Sequence, residues 1–352
     1  MDTSAHNHGK FIEMLVEDSE KHERYFEEME SRQGMFLIRP ANKWIELAKN
    51  RPVPKMLFDT LWFEEEICIL FSDTNLGKSI LAVQIADSIS SGKAISGFRL
   101  EAVRQKVLYF DFELSDKQFE TRYSENYQNH YRFNDLFYRA EINTDADLPE
   151  NFSNFEEYLI HSLEQSLVKS KAPVLIVDNI TYLSAETERA KDALPLMKHL
   201  KRLKQKYGLS VLVLAHTPKR DLSKPITRND LQGSKMLINF CDSSFAIGEC
   251  SQDKNLRYIK QIKVRNSDFM FDKNNVAVCR IEKPGNFLRF EFENFGKEYE
   301  YLKNYSEKDA MQLERDIVDL KASEPGLSLG EMAKRLGTNK MKVKRTLERN
   351  NP

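Results

Sequence analysis

The sequence predicts an α/β fold: a mostly parallel sheet flanked by helices, added antiparallel strands at one edge, and a small all-α unit at the C-terminal end. Three observations predict it. The apolar runs Ile67–Phe71, Val107–Phe110, Val174–Val177 and Val211–Ala215 are nearly unbroken, as strands buried on both faces are. Between them lie stretches of helical period: from Ile80, from Phe152 to Val168 with Phe155, Leu159 and Leu163 on one face, and from Ala190 to Tyr207. That βαβα order is the signature of parallel strands joined by crossover helices. Residues 257–265, 276–282 and 287–293 then follow with no long helix between them.

Taken in order, residues 1–50 read as an acidic N-terminal arm, with Glu27, Glu28 and Glu30 near its middle and a short helical pattern from Trp44 to Ala48. Arg51-Pro52-Val53-Pro54 stiffens the entry to a core at 51–300. The composition changes after Tyr305, and 306–352 read as a separate basic helical domain. Residues 126–149, polar and aromatic, show no assignable period. With 352 residues, 41% of them apolar and a net charge of −1, the chain can bury a core without staples, and its overall charge points to no polyanionic partner. Cys68, Cys241, Cys250 and Cys279 form no C-x-x-C pair, so neither a zinc site nor a disulfide framework is expected. No run is long enough to span a bilayer and the N-terminus lacks an apolar leader, which predicts a cytoplasmic protein.

The chemistry is concentrated between the first core strand and its helix. Ser72-Asp73-Thr74-Asn75-Leu76-Gly77-Lys78-Ser79-Ile80 ends in the Gly-Lys-Ser of a P-loop. Backbone amides at a helix start suit a polyphosphate. Lys78 is placed to meet the β- and γ-phosphates and Ser79 to ligate Mg²⁺. Ser72 stands where the full pattern has a glycine. Asp178, closing the run after Pro173, reads as the Walker B acid, on a neighbouring strand and reaching the metal through water. The cofactors expected are therefore ATP and Mg²⁺. Asp111 and Glu113 follow another apolar run, and alternation puts both on one side of it. Glu113, nearer the edge where ligands gather, is the expected base and Asp111 the runner-up. His216, just past 211–215, is placed to sense the γ-phosphate.

This order of residues, continued by Asp230-Leu231-Gln232-Gly233-Ser234 and Cys241-Asp242, resembles the RecA-like P-loop ATPases. Within them it looks most like the plasmid RepA-type hexameric helicases and the related AAA ATPases of mobile elements. The resemblance covers roughly residues 50–295, and Tyr109-Phe110-Asp111-Phe112-Glu113 is similar to the family strand that carries the catalytic glutamate. Ile262-Lys263-Val264-Arg265-Asn266 is similar to the K-x-R element of those rings. The resemblance implies that Lys263 and Arg265 act in trans on the neighbour's γ-phosphate. It also implies a homo-oligomer, a hexamer by the family's pattern, working in replication or mobilisation.

Two regions are candidates for DNA. Lys219, Arg220, Lys224 and Arg228 lie in 218–230, where RecA-like rings face single-stranded nucleic acid in the channel. Residues 329–347 resemble a helix-turn-helix suited to duplex DNA. Ser328 and Glu331 offer a capping box, Ala333 a close crossing, Gly337 the turn, Thr338 or Asn339 a cap, and Val343 and Leu347 an inward face. From Lys334 to Arg349 seven Lys or Arg face one acid, with Lys340, Lys342, Lys344 and Arg345 as the candidate phosphate contacts. The reading that follows is Mg²⁺-dependent ATP hydrolysis coupled to DNA binding or translocation. The alternative is a DNA-binding regulator switched by ATP without motor activity.

Overall fold

The computed structural model describes residues 36–143, 145–179, 193–218, 220–231, 234–251, 253–303, 307–336, 338 and 340–350. The chain divides into two units, Met1–Pro54 and Lys55–Pro352. In the first, the Trp44–Ala48 pattern lies within helix α1 (Ala41–Lys49), which begins after Pro40. The acidic residues before position 36 lie outside the described residues.

In the second unit a two-stranded ribbon, β1 (Met56–Phe58) and β2 (Trp62–Phe63), leads into β3 (Ile67–Ser72) and α2 (Lys78–Ser91). There follow β4 (Val107–Asp111), α3 (Asp116–Arg122), the short strands β5 (Ser124–Glu125) and β6 (Asn129–His130), and β7 (Phe137–Ala140). Next come α4 (Phe155–Ser170), β8 (Val174–Asp178), α5 (Ala193–Tyr207) and β9 (Ser210–His216). Helix α6 (Ser234–Phe240) precedes β10 (Ser243–Glu249), β11 (Leu256–Lys263), β12 (Val276–Glu282) and β13 (Arg289–Gly296).

Nine of these strands form one sheet in the order β13-β12-β11-β10-β3-β9-β8-β4-β7. Pairing is parallel from β10 through β7 and antiparallel from β10 to β13. This is the expected α/β class, a mostly parallel sheet with flanking helices and the added strands at the expected edge. Residues 126–149, which carry no usable period, supply the opposite edge strand β7.

The unbroken apolar runs are explained by the two layers. Cys68, Leu70, Tyr109, Ile176, Leu212 and Leu214 face one core with Leu81, Ala82, Ile85 and Ile89 of α2. Ile67, Ile69, Phe71, Phe110, Val177 and Val213 face the other with Met197, Leu200 and Leu203 of α5. Period-two alternation thus sends adjacent residues of one strand into two buried layers, each such aliphatic side chain contributing about 1.5–3 kcal/mol of burial. All four cysteines are buried free thiols.

Two contacts shape the phosphate-binding end. Gln84, buried on α2, donates to Phe290 O at 3.0 Å and accepts from Phe290 N at 2.9 Å, so one amide satisfies the outer strand as a neighbouring strand would. Ile281 and Phe290 press against Gly77, where an added Cβ would lie 2.9 Å from each.

The C-terminal helices are α7 (Glu307–Ser323), α8 (Leu329–Arg335) and α9 (Lys340–Asn350). They share a core of Ile317, Met332, Ala333 and Val343, with Leu313, Leu320 and Leu347 packed against it. The Ser328–Glu331 capping box is formed. Gly337 and Asn339 lie outside the described residues. No helix among those described is long and apolar enough to cross a membrane.

Candidate nucleotide site

β3 ends at Ser72 and α2 starts at Lys78, leaving five residues to turn the chain. Asn75 (φ 61°) and Gly77 (φ 94°) take left-handed geometry. At Gly77 both the φ and the Ile281–Phe290 contact exclude a side chain. Ser72 needs no glycine. It has no positive φ, and its hydroxyl donates to Asp73 O at 2.9 Å. Asp73 Oδ1 accepts from Thr74 N at 2.8 Å, Leu76 is buried, and Ile80 packs on the core.

Lys78 is only 6% exposed. Its ammonium donates to Ser72 O (3.2 Å) and Asp73 O (3.1 Å) and lies 3.1 Å from His216 Nδ1. Burial lowers its pKa, opposed by Asp178, Glu113 and Asp73. As Lys78 carries only donors, Nδ1 of His216 accepts and the ring's proton sits on Nε2. Nε2 faces Glu113 Oε1 at 3.5 Å; Asn179 Nδ2, 3.0 Å from Nε2, is itself a donor and does not accept from it. Asn179 also donates to Glu113 Oε1. A continuous polar path therefore joins Lys78 to Glu113 through His216, and Asn179 donates to the same carboxylate. The His216 contact, ahead of burial that opposes it, holds the Glu113 carboxyl below its ordinary pKa, so Glu113 is an anion at neutral pH.

Asp111 is placed differently. Strand β4 ends there, so strand alternation does not extend to Glu113. Asp111 Oδ2 accepts from Arg139 Nε at 2.8 Å and Oδ1 from Leu114 N at 2.9 Å, tying the turn to β7. Its two oxygens are occupied structurally, while Glu113 meets the site.

Asp178 is fully buried, on β8. It is not on the strand next to β3: β9 intervenes, which puts His216 between the two motifs. Oδ2 accepts the Tyr109 hydroxyl at 2.5 Å, and Oδ1 is buried with no hydrogen-bond partner among the described residues. Burial pushes the Asp178 pKa up to about 6. The Ser79 hydroxyl lies near enough to oppose that rise without completing a hydrogen bond of full geometry. An unpaired buried carboxylate oxygen beside a hydroxyl is a donor set that suits Mg²⁺. Ser79 and Asp178 would hold that ion, which supplies charge neutralisation at the β- and γ-oxygens.

The remaining candidates lie elsewhere. Lys263 Nζ donates to Ile238 O (2.5 Å) and Cys241 O (2.7 Å), closing the C-terminal end of α6. Arg265 pairs with Asp242, whose other oxygen accepts from Ile67 N and Lys204. Ile67 opens β3 and Ser72 closes it, so both cations stand about 17 Å along the strand from the phosphate loop. They are out of reach of this chain's own Lys78.

In 218–230, Lys219 lies outside the described residues. Arg220 turns inward rather than toward solvent: Nη2 donates to Lys224 O and Nη1 is buried. Lys224 is exposed and 3.3 Å from Asp221, and Arg228 is exposed in a 3₁₀ turn. On α9, Lys340 and Arg345 are exposed and Lys344 pairs with Glu348 at 3.6 Å. Lys342 lies 3.3 Å from Glu314 of α7.

Tyr109, Asn179 and Arg139 are site residues that motif reading missed. Asn179 directly follows the Walker B acid, a signal that was legible. Arg139 comes from the segment without period and carries none.

A nucleotide-binding turn before α2, an acid two strands away and a glutamate one strand further define a P-loop ATPase domain. A family model described as an AAA domain matches residues 37–221, and the chain belongs to that family. No curated protein sequence matches it. Among solved structures, a KaiC-like protein from the hyperthermophilic archaeon Pyrococcus horikoshii OT3 is 11% identical. That match covers 65% of this chain and 90% of that one at a TM-score of 0.43.

Proposed function

We propose that this protein hydrolyses ATP with Mg²⁺ and couples the reaction to DNA as a homo-oligomer, in the manner of the RepA-type helicases and mobile-element ATPases. The observation that carries the ATPase reading is the path Lys78–His216–Glu113, with Asn179 donating to the same carboxylate. It places a carboxylate base in hydrogen-bonded contact with the residues that meet the phosphates. Support for DNA is electrostatic: exposed Lys340 and Arg345 on a three-helix unit with its own core, and exposed Lys224 and Arg228 after the sensor strand. Such cations bind phosphates without reading sequence. The position of Lys263 and Arg265, far from their own phosphate loop, supports action on a neighbour's nucleotide.

ATPase rate measured with and without single-stranded DNA, alongside solution mass, tests the coupling. Stimulation of a multimer is expected. A slow rate indifferent to single strands, with tight duplex binding through 327–349, favours the ATP-switched regulator instead. The trans reading predicts that mixing inactive Arg265→Ala subunits with inactive Lys78→Ala subunits restores activity. No recovery at any ratio, in assemblies shown by mass to be mixed, contradicts it.

A further inference from the structure

The span from Thr217 to Ile226 is tied at both ends. Thr217 N donates to Ser72 O at 3.0 Å, on the phosphate loop. At the other end Ile226 N donates to Glu298 Oε1 at 2.7 Å, and Ile226 O accepts from Lys260, which itself pairs with Glu298 in the interior. Arg220 lies between. It forms no ion pair among the described residues, although it is half-buried. Nη2 holds Lys224 O at 2.9 Å, and the guanidinium lies beside the Tyr258 hydroxyl. The Tyr258 ring is stacked so closely on Gly248 that any side chain there would overlap it. Nη1 is buried and completes no hydrogen bond of full geometry even with the Tyr258 hydroxyl nearby, and Thr217 Oγ1 is buried and unpartnered. Both residues line one narrow cavity with Ser72, Asp73 and Leu76 of the phosphate loop.

A buried guanidinium nitrogen without an acceptor is costly, and such groups mark places where a partner arrives. Here the candidate acceptors are in the same cavity. Ser72 O and Asp73 O are bonded to the Lys78 ammonium. When Lys78 turns to a phosphate, both carbonyls lose that donor and keep one each, Thr217 N on Ser72 O and the Ser72 hydroxyl on Asp73 O, which leaves an acceptor lone pair open on each.

We infer that Arg220 is a positioning residue which couples the nucleotide site to the span 217–226, its buried nitrogen taking over the phosphate-loop carbonyls that Lys78 releases. The inference rests on the reading of Lys78 as the phosphate-binding lysine, and it does not require DNA. Arg220 thereby draws Lys224 O, and the exposed charge beside it, toward the loop in the triphosphate state. Lysine cannot replace it, because a single ammonium does not span both sites as the planar fork does.

The test is hydrogen exchange of 217–226 in the full-length protein, with and without Mg²⁺ and a slowly hydrolysed ATP analogue, alongside binding of a fluorescent ATP analogue. In the parent the nucleotide is expected to slow exchange in this span by about tenfold, a typical coupling between sites. Arg220→Met and Arg220→Lys are expected to bind the analogue within about threefold of the parent yet lose that nucleotide-dependent difference. A merely structural arginine would raise exchange equally in both states and leave the difference intact. Either that result or a parent span indifferent to bound nucleotide overturns the inference. Failure of the parent to bind the analogue at all is distinguishable, since it overturns the site reading as well.

Discussion

Glu113→Gln is expected to lower ATP turnover by about 10²–10⁴-fold, the range for removing a positioned general base, while leaving nucleotide affinity almost unchanged. The amide keeps the shape and the contact to Asn179 but cannot take a proton from water. Glu113 is half-exposed at the edge of the site, whereas Asp111 is closed off by Arg139 and two backbone amides. Asp111→Asn should therefore act mainly on stability, through loss of its Arg139 pair. Single-turnover kinetics separates the two variants from any effect on binding. The depressed pKa of Glu113 adds a check on pH. Its ionised form stabilises the folded state above the ordinary glutamate pKa, and that contribution is lost as pH falls through the lower folded value. The melting temperatures of Glu113→Gln and the parent should accordingly converge in acid.

Lys78→Ala is expected to lower turnover by on the order of 10²–10³-fold, as for other donors aimed at developing charge, and to weaken nucleotide binding as well. The two losses go together because one ammonium serves ground state and transition state alike. Unchanged turnover in this variant contradicts the assignment of the site. Equilibrium binding of a fluorescent ATP analogue, read beside the steady-state rate, separates its two components.

The fold was legible where burial leaves a mark on composition. Strands covered on both faces, such as 67–71 and 211–215, have no polar residue to interrupt the run, and their order forces a parallel sheet. Strand β7 was not legible, because an edge strand with partly exposed residues carries neither a run nor a clean alternation. In the candidate site, Gly77, Lys78, Ser79 and Asp178 are the residue types that phosphate and metal chemistry would demand, so spacing alone exposes them as candidates. The strand order was less accessible: nothing in the residues says that β9 inserts between β3 and β8. Cations were the weakest signal. Nothing in the residues shows that Arg220, Lys263 and Lys342 each meet a carbonyl or carboxylate of their own chain. A long side chain on a surface segment can fold either way, and only tertiary neighbours decide which.

A crystal structure of the protein with Mg²⁺ and a non-hydrolysable ATP analogue decides whether the nucleotide site has been placed correctly. The triphosphate should lie against the backbone amides from Asn75 to Ile80, with Lys78 turned toward it and the metal between the Ser79 hydroxyl and Asp178. Nucleotide bound elsewhere on the chain, or a metal remote from Asp178, contradicts the account.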